Sequence, residues 1–188
     1  VTFSYNEGEK VLKGLSFKIN QGEKIAIVGS TGSGKTTIVN LLNRFYEPQH
    51  GSIFLDGINV NELEIKSLRS NIALVLQDVF LFADTLLNNI TLWNRHIPFK
   101  AVTDAAKKIG IHDFIMSLPG GYNYNVRERG VMLSAGQRQL IAFLRAYVCN
   151  PSLLILDEAT SSVDTHTENL IKQSINKLTE GRTSIIIA

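Results

Sequence analysis

Short apolar runs alternate with polar, glycine-bearing turns along the 188-residue chain, and the period of the apolar positions changes as it proceeds. TFSY (2–5), GLSFKI (14–19) and KIAIV (24–28), separated by NEGEK and NQGE, read as strands. Beyond Lys35 the apolar residues Ile38, Leu41, Leu42 and Phe45 recur at helical spacing, which predicts a helix that ends before Pro48. GSIFLDG (51–57) predicts a strand and turn, IKSLRSN (65–71) a short helix, and IALVLQ (72–77) an apolar strand ending on Gln77. From Val79 to about Ser134 the pattern turns mostly helical, with TLLNNI, FKAVTDAAKKI and HDFIMSL divided by Pro98, Gly110 and the turn at 119–122. A longer helix, AGQRQLIAFLRAYVC, then leads to the apolar strand LLIL. Leu170, Ile171, Ile175 and Leu178 mark one more amphipathic helix before a closing strand, TSIIIA. Strands alternating with helices predict an α/β fold with a mainly parallel sheet.

Composition adds limits. An apolar fraction of 44% fits a globular chain with one well-buried core. The formal charge of +2 is scattered, so it marks neither a nucleic-acid footprint nor a membrane surface. The single cysteine, Cys149, excludes an intrachain disulfide framework, and no apolar run approaches the ~20 residues that cross a bilayer. The chain therefore reads as cytosolic. It starts on Val and stops within an apparent buried strand, so the expectation is an excised piece of a longer protein. His50, His96, His112 and His166 have no metal-site spacing, and surface placement is expected of them. Asn89-Ile90-Thr91 has the form of a glycosylation acceptor and reads as a chance match.

Candidate chemistry concentrates where an apolar strand meets a helix. GSTGSGKTT (29–37) fits GxxxxGK[ST], with Gly29, Gly34, Lys35 and Thr36 at the defining positions. Glycines let successive backbone N–H groups converge on an anion, and the next helix aims its positive end at the same point. Gly29, Ser30, Thr31, Gly32, Ser33, Gly34, Lys35, Thr36 and Thr37 are thus the candidate phosphate cradle, with Lys35 for the outer phosphates and Thr36 for Mg²⁺. LLILDE (153–158) ends a buried strand in two carboxylates, a position suited to Asp157 in a metal shell and Glu158 as the base for an attacking water. LSAGQRQ (133–139) opens a helix with Ser134. Taken alone, that string fits a phosphate-holding helix start and a plain serine cap equally well.

In this order the motifs resemble the nucleotide-binding domain of ATP-binding cassette (ABC) transporters of the exporter type, over essentially the whole chain. Gly29–Thr36 resembles the Walker A loop and Leu153–Glu158 the Walker B strand. LSAGQ is similar to the signature LSGGQ, Gln77 matches the Q-loop, Ser161–Asp164 (SSVD) the D-loop, and Tyr5 the aromatic that stacks on adenine. RERG (127–130) together with QDVFLF (77–82) resembles the exporter branch. Ala135 departs from the signature's usual first glycine, and the family's switch histidine would fall just after Ala188.

The resemblance implies a P-loop NTPase (RecA-like) α/β core with an N-terminal antiparallel β subdomain and an inserted α-helical subdomain at about 79–140. It implies ATP and Mg²⁺ as cofactors. Tyr5, the loop residues 29–37, Ser134, Gly136 and Gln137 would bind nucleotide, Thr36, Gln77 and Asp157 would serve the metal, and Glu158, Gln77 and Lys35 would act in hydrolysis. Two such domains, identical or different, would close head to tail over ATP on the cytoplasmic face of a membrane, driving export through an attached transmembrane domain. Nucleic acid is not an expected partner. A soluble cassette ATPase of DNA repair or chromosome maintenance would need long coiled coils between Walker A and signature. The stretch from Thr36 to Ser134 lacks sustained heptads. A non-hydrolysing regulatory module is the other alternative, disfavoured by Glu158 and Gln77 and kept open by Ala135.

Overall fold

The computed structural model of the chain describes residues 1–157 and 165–188. In chain order the elements are β1 (Lys24–Ile27), α1 (Lys35–Leu42), β2 (Phe54–Leu55), β3 (Ile58–Asn59), α2 (Ile65–Ser70), β4 (Ile72–Val75), α3 (Leu86–Thr91), α4 (Phe99–Ile109), α5 (His112–Ser117), α6 (Ala135–Cys149), β5 (Leu153–Asp157), α7 (Thr165–Thr179) and β6 (Thr183–Ile187). Four strands form a parallel sheet in the order β1-β6-β5-β4, while β2 and β3 pair antiparallel as a hairpin.

The apolar run of β5 explains why both sheet faces are covered. Successive side chains on a strand point to opposite faces. Leu154 and Leu156 join the larger apolar cluster with α6 and α7 residues such as Phe143, Leu144 and Ile171. Leu153 and Ile155 enter a second cluster with Val39 of α1, Leu68 of α2 and Ile185 and Ile187 of β6. Helices α3, α4 and α5 extend the larger cluster through Ile90, Val102, Ile109 and Ile115. The α/β core, the antiparallel pairing and the helices inserted between β4 and β5 are thus as the sequence led us to expect.

Three local expectations fail. TFSY and GLSFKI do not become ladders. Residues 2–5 make only the antiparallel bridges Thr2–His50 and Phe3–Leu12, and the Ser4 backbone pairs instead with the Gln49 side chain. Helix α1 ends at Leu42, so Phe45 does not continue its buried face. The Asn43 amide turns back to the Val39 carbonyl (3.0 Å), Arg44 takes a left-handed φ of 51°, and the Phe45 N–H bonds the Asn40 carbonyl (2.8 Å). Phe45 lies exposed, with the Arg69 guanidinium carbon 4.7 Å from its ring centre. Strand β4 stops at Val75, two residues short of Gln77.

Candidate functional site

Strand β1 delivers the chain to the loop 29–34, and α1 starts immediately behind it. Gly32 and Gly34 have φ values of 83° and 96°, the left-handed region that this loop needs and that glycine enters without penalty. Gly34 is the N-cap of α1 and offers no side chain to cap it, nor does α1 carry an acidic residue in its first turn. The first N–H groups of this helix therefore face an exposed loop with the helix dipole behind them, an arrangement that attracts anions. Space is tight at Gly29, where a Cβ would lie 2.6 Å from Ser33 Oγ. Lys35 folds back over the loop, its Nζ donating to the carbonyls of Gly29 (2.5 Å) and Ser30 (3.4 Å). Thr36 is exposed and Thr37 buried.

Strand register brings the other candidates to the same edge. Ile27, Ile187 and Asp157 stand level at the carboxyl ends of β1, β6 and β5, and Val75 of β4 pairs with Leu156. Asp157 is thus two strands from the end of β1, roughly 10 Å at ordinary strand spacing. Gln77, exposed, follows two residues beyond β4 on the neighbouring strand. Glu158 and the SSVD segment lie outside the described residues.

Tyr5 stands beside the first turns of α1. Its hydroxyl is 3.1 Å from Thr37 Oγ1 and 3.1 Å from Asn40 Nδ2, and its ring meets Phe3 and Tyr46 edge-on at 4.9 and 5.0 Å. Ser134, Gly136 and Gln137 sit at the start of α6. There the structure displays a full capping box: the Gln137 N–H donates to Ser134 Oγ (3.2 Å), and the Ser134 N–H donates to Gln137 Oε1 (2.9 Å). The serine cap is therefore present, and the Ser134 hydroxyl proton remains able to donate outward.

Sequence reasoning missed how the segment after Gln77 is held. Asn89, fully buried, accepts from the Phe82 N–H (2.8 Å) and donates to the carbonyls of Phe82 and Thr85 (3.0 Å each). Arg145 of α6 donates to the carbonyls of Asn89 (2.8 Å) and Phe80 (3.4 Å), and burial pushes its guanidinium pKa down. Only the NIT string pointed at Asn89, whose side-chain amide is taken up by these backbone bonds inside the fold. The RERG segment packs on the same loop: Gly130 has φ 66°, and a Cβ there would meet Leu81 at 2.9 Å. Beside it Phe80, Phe82 and Trp93 form an exposed edge-to-face ladder, with centroids 5.1 and 4.9 Å apart. Of the histidines, His112 is not at the surface as expected but half-buried, its Nδ1 2.9 Å from the Tyr122 hydroxyl. Burial pushes the Tyr122 phenol up to about 12.

Residues 12–161 match the ABC transporter family. The whole chain aligns with the ATP-dependent lipid A-core flippase of Saccharophagus degradans at 49% identity and with the ABC transporter ATP-binding protein YknV of Bacillus subtilis at 48%. It spans 32% and 31% of their lengths. A solved bacterial Atm1-family ABC exporter with ATP bound superposes on the full chain with a TM-score of 0.90 at 42% identity, and the chain covers 33% of it. The chain thus spans about a third of the length of these relatives.

Proposed function

The chain belongs to the ABC transporter family, and on that premise we propose that it is the ATP-binding and ATP-hydrolysing domain that powers export of a substrate across a membrane. The observation that carries the reading is the uncapped N-terminus of α1 behind a glycine loop, at the same sheet edge as Asp157 and the chain leading to Gln77. Loop amides and Lys35 hold the phosphates, and Lys35 exchanges its bonds to the Gly29 and Ser30 carbonyls for phosphate oxygens. Thr36, Asp157 and Gln77 would hold Mg²⁺, which supplies charge neutralisation between phosphates. Tyr5 stacks on adenine, and Glu158 accepts a proton from the attacking water.

Helices α1 and α6 pack on opposite faces of the sheet, so the Ser134 turn is separated by that sheet from the Gly29–Thr36 loop of its own chain. This favours a shared site in which the Ser134 turn of a second, like domain covers the nucleotide. The helical segments within about 79–140 are read as a subdomain, and the exposed Phe80, Phe82 and Trp93 as its face toward a transmembrane domain. No helix among the described residues is long and apolar enough to cross a membrane, so the membrane part would be a separate segment or chain. Names of relatives such as the lipid A-core flippase and the Atm1-family exporter support export as the output.

Titrating a fluorescent ATP analogue against Lys35→Ala tests the reading. Loss of the charged donor is expected to weaken binding at least about tenfold. Unchanged affinity would remove the loop from the nucleotide site.

A further inference from the structure

Tyr5 is 45% exposed and sits on a segment that makes no ladder, so its ring contacts alone leave it free to swing. Two side chains of α1 restrain it through the phenol oxygen. Asn40 Nδ2 can only donate, so Tyr5 accepts from it, and the single phenol proton is left to donate to Thr37 Oγ1. Thr37, buried in the first turn of α1, is a fixed acceptor for that proton. The bonds run head to tail from Asn40 to Tyr5 to Thr37, an order in which each strengthens the next. Behind Tyr5, the Gln49 amide clamps the Ser4 backbone from both sides, at 2.9 Å on its N–H and 2.8 Å on its carbonyl.

We propose that Asn40 is a positioning residue for nucleotide binding. By donating to the Tyr5 hydroxyl it fastens the aromatic platform to the helix that carries Lys35 and Thr36, which fixes the span between the base and phosphate subsites. A platform ordered before the ligand arrives spares the ligand the cost of ordering it. This inference rests on the reading of Tyr5 as the surface for the adenine ring.

The test compares affinities for ATP and for inorganic triphosphate, which lacks a base, in the full-length protein. Asn40→Leu keeps the branched shape and removes the donor. It is expected to weaken ATP about fivefold and triphosphate less than twofold. Tyr5→Phe keeps the ring and loses the hydroxyl with its bonds to both Asn40 and Thr37, and should weaken ATP by at least the same factor. Combining the two should cost no more than Tyr5→Phe alone, because the bond that Asn40→Leu removes is already missing there. A general packing defect at Asn40 would instead lower both affinities and add to Tyr5→Phe, and that result overturns the proposal. Unchanged ATP affinity in Asn40→Leu does the same, and if that variant fails to fold, unchanged affinity in Tyr5→Phe decides against it. Tyr5→Ala separates the two levels: if it leaves the ATP-to-triphosphate ratio intact, the platform reading falls and takes the role of Asn40 with it. If Tyr5→Ala collapses the ratio while Asn40→Leu and Tyr5→Phe preserve it, the platform stands and the positioning role is refuted.

Discussion

Gly32 and Gly34 share a left-handed backbone but have different neighbours. A Cβ at Gly32 meets nothing within 4 Å, whereas one at Gly34 would lie 3.0 Å from Leu12 and 3.3 Å from Val11. Forcing a non-glycine residue into this region costs roughly 1–2 kcal/mol, and overpacking a filled site adds roughly 1–3 kcal/mol. Gly32→Ala should therefore destabilise the protein by about 1–2 kcal/mol and Gly34→Ala by about 2–5 kcal/mol, read from urea midpoints. Equal losses would contradict the packing of Leu12 and Val11 on the loop. The chemistry proposed for Glu158 is separable from this. Glu158→Gln should bind ATP as the parent does and lose hydrolysis by at least about 10²-fold, because an amide accepts no proton from water. Turnover at the parental rate would strip Glu158 of its role.

At the scale of elements, α3 is held by its first residues. Asp84 accepts from the Thr85 N–H (2.6 Å), Asn88 Nδ2 (2.9 Å) and Trp93 Nε1 (2.9 Å), and these bonds, the Thr85 amide foremost, hold its carboxyl below the usual carboxylate range. A depressed folded pKa makes the stabilisation complete above the unfolded value of about 3.9, and it disappears as pH falls through the folded value. Trp93 is the chain's single tryptophan, so its emission reports this contact directly. Acidification should shift that emission only below about pH 4, and Asp84→Asn should abolish the step. A parental transition above pH 5 would place its cause elsewhere. Elements like β1, β5 and α6 were legible because their apolar period repeats without interruption, and the loop motif because its residue types have no other economical use between strand and helix. The missed features depend on partners far along the chain. TFSY has strand-like composition, yet residues 46–50 meet it with one bridge and the Gln49 side chain rather than a strand. Phe45 has the right spacing, but Asn43 and Arg44 end the helix before it. Asn89 reads in the sequence as part of a chance match, and only the fold shows it bonded to the Phe82 backbone with Arg145 on its carbonyl.

At the scale of the whole molecule, the sheet lies between α1 and α6, and the proposal of a site shared between two chains rests on that separation. A symmetric pair built head to tail would contain two sites, each joining the Gly29–Thr36 loop of one chain to the Ser134 turn of the other. Lys35→Ala damages the loop half of both sites, and Ser134→Arg, through bulk and charge at an exposed cap, damages the turn half of both. Either homodimer should be inactive. In a mixed pair, however, the intact loop of the Ser134→Arg chain faces the intact turn of the Lys35→Ala chain, while both lesions share the other site. With random pairing half of the dimers are mixed, and one site in each works, so equal mixing should recover about a quarter of parental ATP turnover if the sites act independently. Ser134→Arg alone should still bind ATP near parental affinity, since its own loop is untouched. Trapping nucleotide in the mixed pairs completes the test: one nucleotide held per pair with no turnover would mean that the two sites must fire together. If mixed pairs form and neither turn over nor trap nucleotide, the shared site is wrong.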